Sequence, residues 1–360
     1  MKKAFLALAD GTVFEGVSVG AEGTALGEIV FTTGMVGYLE ALTDPAFAGQ
    51  IVTMTYPIIG NYGVNRADCQ SGKVQAKGMI VKEVATHPNN FRSEETLTDY
   101  LLSENVVAIS GIDTRALTKI IRDQGAMNGV ITTDENFKFE NYKEQIEAYK
   151  IGALVSEVTC KEKYTVGDGA LQVALIDYGV QKNIIEYLVK RGAAVTVYPA
   201  ATKAADILAD KPDGIMLSGG PGNPADYSEL IAEIKELLAS GTPLFGTGLG
   251  HQMAAIAMGG KTEKLKFGHR GANQPVKDLA KDMTFATVQN CGYTVVAESL
   301  DEKVATVSHI NVNDNTVEGI RYNSIPAFTV QYAPECKPGP KSMEYIFDEF
   351  MNLVGGKHNA

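Results

Sequence analysis

The first 130 residues alternate between short apolar runs and glycine-containing turns, a pattern typical of β-strands. Two helical patterns interrupt them, at Glu94–Leu102 and at Asp113–Gln124, and the second opens with an Asp113-Thr114 N-cap signal. The sequence therefore predicts a β-rich N-terminal domain. The predicted strands are Ala4–Leu8, Thr12–Phe14, Glu28–Phe31, Ile51–Thr55, Lys77–Val81 and Val106–Ile109.

The pattern changes after residue 170. Val173–Ile176 is a continuous apolar run, a helical pattern follows through Val189, and Ala194–Tyr198 is the next apolar run. Strands that are apolar on both faces, alternating with helices, are typical of a covered parallel sheet. We therefore predict an α/β protein with an open, mostly parallel sheet in its second half. The domains expected are 1–150 and 171–360, with a polar linker at 151–170.

One stretch of this second half has the form of a nucleophile elbow. A short apolar run from Pro243 reaches a Gly-x-Gly-x-Gly turn, and apolar residues at helical spacing follow until Gly259-Gly260. Such a strand, turn and helix holds one side chain at the end of a sheet. The reactive side chain would belong to position 248, which is a glycine in this chain.

A second glycine-rich turn, Ser218–Pro224, follows the predicted strand Gly214–Leu217. In open parallel sheets the site lies beyond the carboxyl ends of the strands, where both turns fall. The backbone N–H groups of the Gly219–Gly222 turn and of Leu249, at a helix N-terminus, could together stabilise an oxyanion. Each turn alone would be an ordinary structural turn.

Composition excludes several classes of function. The chain has 360 residues and a net charge of −11, so no general surplus of positive charge exists to neutralise phosphates, and we expect no nucleic-acid partner. Its four cysteines lack metal or disulfide spacing and its five histidines form no metal motif. The apolar N-terminal run is short and leads into Asp10-Gly11, so we interpret it as a first strand. No run is long enough to span a membrane, and we expect a cytoplasmic protein.

Several segments of both halves resemble one family. Residues 241–276 (GTPLFGTGLGHQMAAIAMGGKTEKLKFGHRGANQPV) resemble the elbow region of class I glutamine amidotransferases, and more closely that of the carbamoyl-phosphate synthetase small subunits. LSGGPGNP, QNCGY and PECKPGP fit the same family. Segments 27–45, 49–63 and 106–118 resemble the N-terminal domain that is particular to those small subunits.

The resemblance implies a glutaminase subunit with a Cys-His-Glu triad. Such a subunit hydrolyses glutamine and delivers ammonia to a large synthetase subunit, which makes carbamoyl phosphate from bicarbonate, ammonia and ATP. The resemblance thus implies a large-subunit partner and glutamine as a ligand. It implies no cofactor for this chain, since ATP and metal would belong to the large subunit.

This chain departs from the family pattern at the positions that carry chemistry. The nucleophile position is Gly248 instead of Cys, and the base position is Ala333 instead of His, while the triad acid is kept as Glu335. A serine that contacts the substrate in the family is replaced by Gly34, and the family's Gln-Asn-His-Gly contains Cys291 in place of its histidine. The substrate-binding positions that match are Gly220, Gly222, Leu249, Gln252, Asn290, Gly292 and Tyr293.

Three hypotheses follow from these departures. The chain could be a non-hydrolysing small subunit that supports an ammonia-dependent synthetase, a working glutaminase with displaced chemistry, or a regulatory protein that binds glutamine without turnover. Displaced chemistry would need two of the neighbouring reactive groups to meet in a new geometry. The groups available for it are Thr247, Cys291, Cys336, His251 and His309. Neither the pathway served, pyrimidine or arginine synthesis, nor the oligomeric state follows from the sequence.

Overall fold

The structure is a computed structural model that describes residues 2–337, 339 and 343–356. In the PECKPGP segment (residues 334–340), Pro338 and Pro340 therefore lie outside the described residues. The chain forms two compact units, one of residues 1–152 with 266–271, the other of residues 153–265 with 272–360. Within the described ranges no helix is long and apolar enough to cross a membrane.

In the first unit, seven strands form a closed barrel in the order β1-β2-β8-β6-β4-β3-β9. Closure pairs the outermost strands, so the barrel has no exposed edge. The strands of the unit are β1 (Lys3–Leu8), β2 (Val13–Ser18), β3 (Thr24–Thr32), β4 (Gln50–Met54), β5 (Ile58–Ile59), β6 (Gly78–Ile80), β7 (Glu83–Val84), β8 (Val107–Ser110) and β9 (Met127–Thr132). The helices are α1 (Tyr38–Thr43), α2 (Leu97–Ser103), α3 (Thr114–Gln124) and α4 (Glu140–Ala148), with 3-10 turns at Pro45–Phe47 and Arg66–Asp68.

The predicted strands of this unit are present, and the structure adds β9, which was not predicted. Six of the seven barrel strands, all except β2, place a fully buried apolar residue in the barrel core. These residues are Leu6, Ile29, Ile51, Ile80, Ile109 and Ile131. The predicted cap of α3 is also present, since the Ala116 N–H donates to the Asp113 carboxylate over 2.9 Å. Helix α2 begins three residues later than predicted, because Glu94 and Glu95 pair with Val64 and Thr96 provides the cap.

The second unit contains a ten-stranded sheet in the described part of the chain, in the order β10-β12-β11-β13-β14-β19-β18-β16-β15-β17. Its strands are β10 (Tyr164–Val166), β11 (Leu171–Asp177), β12 (Ala193–Pro199), β13 (Gly214–Leu217), β14 (Leu244–Thr247), β15 (Thr262–Asp278), β16 (Met283–Val295), β17 (Ala305–Asn311), β18 (Val317–Tyr322) and β19 (Ala327–Val330). The helices are α5 (Val155–Val158), α6 (Lys182–Val189), α7 (Ala204–Ala209), α8 (Ser228–Ala239), α9 (Leu249–Ala257) and α10 (Tyr345–Gly355), with 3-10 turns at Pro224–Asp226 and Ala297–Ser299.

Five adjacent strands, from β12 to β19 in the sheet order, are parallel, and antiparallel strands extend the sheet on both sides. The expected α/β class, with a β-rich first half and a parallel sheet in the second, is confirmed.

Residues alternate between two apolar cores along each central strand. On β13, Ile215 and Leu217 lie in one core, and Met216 lies in the other. This two-sided burial explains why the central strands appear as continuous apolar runs.

The stretch 151–170, predicted as a linker, differs from that expectation. Residues from Ala153 onward cluster with the second unit, and β10 pairs with β12 along an edge of the sheet. The side chains of Tyr164–Val166 are all exposed. The strand is only three residues long and has no buried face, so its sequence is too short to be distinguished from a linker.

The ring of Phe245 lies at the centre of the core that supports the end of β14. It contacts the rings of Phe328, Phe347 and Phe350 at centroid distances of 4.9, 5.7 and 5.7 Å. We expect Phe245→Ala to lower the free energy of unfolding of the second unit by about 3–5 kcal/mol. Hydrogen exchange of the β14 amides would measure this loss in that unit alone.

Phe91→Ala is the matched control, because its ring is 95% exposed. Its effect should stay within about 0.5 kcal/mol. A loss below about 1 kcal/mol for Phe245→Ala would contradict the role assigned to the ring cluster.

Candidate amidotransferase site

The predicted elbow is present at the junction of β14 and α9. Gly248 has φ 51° and ψ −114°, and Leu249 is the first residue of the helix. The Gly248 N–H donates to the carbonyl oxygen of Val330 over 3.0 Å, which ties the apex to the neighbouring strand β19. This φ is in the region that glycine adopts freely, and a residue with a side chain pays about 1–3 kcal/mol there.

The space for the missing side chain is small but present. A Cβ at position 248 would lie 3.3 Å from the Gly219 Cα and 4.0 Å from the Gln331 carbonyl oxygen. The first contact is tight, so a cysteine at position 248 requires a shift of a few tenths of an ångström. The apex thus has the geometry of a nucleophile elbow and no nucleophile.

The second predicted loop, which follows β13, packs closely against the elbow. A Cβ at Gly220 would lie 2.3 Å from the Tyr178 carbonyl oxygen and 3.0 Å from the Leu249 side chain, so only glycine fits there. Ser218 fixes the loop, since its hydroxyl accepts from the Tyr178 N–H and donates to the Gly219 carbonyl, both over 2.9 Å. The loops after β11 and β13 and the start of α9 are therefore held together. Gly222, with φ 91°, lies in the same loop.

The other two triad positions follow β19, the strand paired in parallel with β14. Thr247 and Val330 are partners in the register, so Ala333 and Glu335 continue from the strand end beside the elbow. The Ala333 N–H donates to the Val288 carbonyl over 2.9 Å, and the Glu335 side chain is buried. The buried carboxylate of Glu335 thus follows, two residues later in the chain, a position that carries only a methyl group.

Gln252, in the first turns of α9, connects the elbow to the strand that carries Asn290, Gly292 and Tyr293. Its Nε2 donates to the Tyr293 carbonyl oxygen and to Gln331 Oε1, both over 2.8 Å. The predicted residues Leu249, Gln252 and Tyr293 are therefore brought together by contacts in the second unit. Gln331 was missed by the sequence reasoning, although it lies two residues before Ala333.

Gly34 belongs to the first unit, in the loop between β3 and α1. A Cβ there would lie 3.0 Å from the Val36 carbonyl oxygen, so a serine requires a small local shift. The loop is anchored by the Gly37 N–H, which donates to the Tyr62 hydroxyl over 2.7 Å.

The two histidines considered for displaced chemistry are buried and held by other partners. His251 Nδ1 lies 2.8 Å from the Thr329 hydroxyl, and burial, followed by the charge of His309, lowers the His251 pKa to about 3. His309 Nδ1 lies 2.9 Å from the Ser308 hydroxyl, and burial lowers its pKa to about 4 against the opposing effect of Asp278. Both imidazoles are therefore neutral near pH 7 and weak as bases.

The two thiols have their own contacts. The Cys336 thiol donates to Gln181 Oε1 over 3.0 Å, and the Cys291 sulfur lies 3.9 Å from Gln289 Oε1. Thr247 is buried on β14, opposite Val330 in the register. Within the ranges that the structure describes, no group of three or more His, Cys, Asp or Glu side chains is placed to hold a metal ion.

Comparisons with known proteins match both halves of the chain. The family model "Carbamoyl-phosphate synthase small chain, CPSase domain" matches residues 6–131, and "Glutamine amidotransferase class-I" matches residues 174–353. Carbamoyl phosphate synthase small chains from Clostridium perfringens and Syntrophotalea carbinolica are 49% and 47% identical to it, each over 98% of this chain and 99% and 98% of their own lengths. One from Listeria monocytogenes serotype 4b is 46% identical over 100% of this chain and 99% of its own. With both regions matched and near full-length relatives at this identity, the chain belongs to the family of carbamoyl-phosphate synthase small chains, the glutamine amidotransferase subunits.

Proposed function

We propose that this chain is a small subunit that does not hydrolyse glutamine, and that it serves as a structural and activating partner of an ammonia-dependent synthetase subunit. The observation that carries the proposal is the elbow apex, where Gly248 has the backbone geometry of a nucleophile position and no reactive atom. The relatives are named small chains, which implies a large chain as the partner.

Nucleophilic hydrolysis of an amide needs a thiolate or an activated hydroxyl, together with a base. Gly248 supplies no nucleophile, and Ala333 supplies no base. In a comparable hydrolase triad, loss of the nucleophile or the base lowers turnover by roughly 10⁶-fold. Oxyanion donors alone leave a hydrolysis rate roughly 10³–10⁴-fold above that of the uncatalysed reaction in water. Such a rate is too low to supply a synthetase with ammonia.

A displaced glutaminase has less support. His251 and His309 are buried, neutral and engaged with Thr329 and Ser308. A base with a pKa of about 3 or 4 accepts a proton poorly near pH 7, so neither imidazole would activate a thiol effectively.

From the family relationship we also propose that ATP and metal ions are bound by the large subunit alone, and that the complex works in the cytoplasm, in pyrimidine or arginine synthesis.

The first test is hydrolysis. Purified chain, alone and with a large subunit, should release no ammonia from glutamine above the background. Gly248→Cys alone should recover little, because the thiol would lack a base. Gly248→Cys with Ala333→His should recover more than the sum of the single variants, since triad members act as a unit. Adding Gly34→Ser should mainly lower KM.

The matched control is Gly248→Ala with Ala333→His, which restores the imidazole and the added Cβ without a thiol. It should stay inactive. Glutamine-dependent ammonia release by the unmodified chain would refute the proposal, and Cys291 and Cys336 would then be tested for the displaced nucleophile.

The second test is stability at the elbow. Gly248→Cys and Gly248→Ala should each lower the free energy of unfolding by about 1–3 kcal/mol, because both place a Cβ on a backbone with φ 51°. Equal losses in the two variants would assign the effect to the backbone conformation. Unchanged stability, measured by urea unfolding, would contradict the strain argument.

The third test is association. The chain should co-purify with the large subunit from the same cell and raise carbamoyl phosphate formation from ammonia, while glutamine supports none. The proposed docking is motivated by the first unit, which matches the small-chain CPSase domain. The Gly248→Cys, Ala333→His variant should therefore associate equally well, since both changes lie in the second unit. Absence of association in a sensitive assay, or an ammonia-dependent rate that does not change on adding the chain, would argue against a partner role.

A further inference from the structure

Phe91 is the most exposed large apolar residue in the described part of the chain, at 95%. The next in order, Met35, is 63% exposed. Partly exposed apolar side chains are common on protein surfaces, but a phenylalanine that stays almost wholly in water gains nothing from the hydrophobic effect in the free chain. The fold of this chain alone therefore gives no reason for a ring at this position.

The ring is carried by a turn formed by residues Asn90–Ser93, the Phe91 turn. The Ser93 N–H donates to the Asn90 carbonyl oxygen over 3.1 Å, which closes the turn and makes Phe91 its second residue. The Asn90 side chain also closes it, because its Oδ1 accepts from the Arg92 N–H over 2.9 Å. Two hydrogen bonds thus fix the backbone on both sides of the exposed ring.

The Phe91 turn is anchored to a neighbouring segment of the first unit. The Asn61 carbonyl oxygen accepts from the Asn89 N–H over 3.0 Å, and Asn65 Nδ2 donates to the Arg92 carbonyl oxygen over 2.9 Å. The Arg92 guanidinium pairs with the Asp68 carboxylate over 2.7 Å. The turn therefore has a defined position on the surface of this unit.

Close packing supports the turn at Gly63, in the same neighbouring segment. A Cβ at Gly63 would overlap the Ser93 side chain, so the two segments approach more closely here than a residue with a side chain would allow. None of the contacts that hold the turn involves the ring of Phe91. The chain thus fixes the position of a ring that it does not bury.

A fixed and exposed aromatic side chain has the properties of an interface anchor. Aromatic residues carry much of the binding energy of protein interfaces, and a segment already held in its bound conformation loses less entropy on binding. The Phe91 turn lies within residues 6–131, which match the CPSase domain of small chains, and outside the amidotransferase match at 174–353. Its location therefore favours the large chain as the partner.

We propose that Phe91 anchors the docking surface of the first unit, and that its ring inserts into an apolar pocket of the large synthetase subunit. Asn90 is a positioning residue, because it closes the turn that presents the ring. The inference rests on the proposed function, since the partner is the large subunit. It does not depend on whether glutamine is hydrolysed.

The first experiment is calorimetric titration of the large subunit with the full chain. Phe91→Ala should weaken association about thirtyfold, which corresponds to about 2 kcal/mol. Phe91→Leu keeps an apolar side chain and should lose about fivefold or less. Asn90→Ala should weaken association about threefold in the unmodified chain and leave it unchanged in the Phe91→Ala chain, since the turn acts through the ring.

The second experiment uses the absence of tryptophan from the sequence. Phe91→Trp, produced with fluorotryptophan, carries a single fluorine, at the ring. Its fluorine NMR signal should move when the unlabelled large subunit is added, and its solvent isotope shift should disappear as the ring leaves water.

Met283→Trp, labelled in the same way, is the matched control, because Met283 is 53% exposed and belongs to the second unit. Its signal should stay unchanged, and Met283→Ala should associate within about twofold of the unmodified chain. Thermal unfolding of each variant checks that it is folded, as the exposure of both positions leads us to expect.

Unchanged association of Phe91→Ala, or an equal loss in Met283→Ala, would overturn this inference and leave the partner role intact. A dimer of the unmodified chain that Phe91→Ala dissociates, with large-subunit binding unchanged, would also overturn it, because the ring would then contact a second copy. Absence of any association overturns the partner role and this inference together. Ammonia release from glutamine refutes only the proposed lack of hydrolysis, and the association measurements still decide the role of Phe91.

Discussion

The site depends on backbone contacts that hold the ends of parallel strands together. The Gly248 N–H bonds to the carbonyl of Val330, and the Gly250 N–H bonds to the carbonyl of Ser218 over 3.1 Å. Gly220 lies so close to the Tyr178 carbonyl that no side chain fits. None of these contacts involves a catalytic side chain. The elbow therefore keeps its shape with a glycine at its apex, because the contacts that hold it do not require a side chain at position 248.

Much of the fold could be predicted because burial leaves a pattern in the sequence. The central strands are buried on both faces and appear as apolar runs, and Asp113 caps α3 through a local hydrogen bond. What could not be predicted depends on pairing between distant segments. Closure of the barrel requires β1 to pair with β9, and the exposed strand β10 is defined only by its bonds to β12. Neither kind of contact leaves a local periodicity.

In the candidate site, too, local motifs could be predicted from the sequence, whereas contacts between distant segments could not. The elbow with Gly248 and the Ser218–Gly222 loop could be placed from local motifs, because strand ends of a parallel sheet meet at one edge. Ala333 and Glu335 were identified only by the resemblance to the family. The state of His251 could not be predicted, since the sequence does not reveal that it packs against Thr329 in the core. Gln331 was missed for a related reason, because its contact with Gln252, which is 79 residues away in the chain, is visible only in the three-dimensional structure.

Stability alone is sufficient to explain a glycine at the apex. Glycine at position 248 removes the strain that a side chain would carry at φ 51°. A cysteine there would also bring its Cβ to 3.3 Å from the Gly219 Cα, a tight contact with the backbone of the neighbouring loop. Both costs would be borne by any residue with a side chain at this position. Glycine therefore relaxes the elbow while the hydrogen bonds of Gly248 and Gly250 keep its shape.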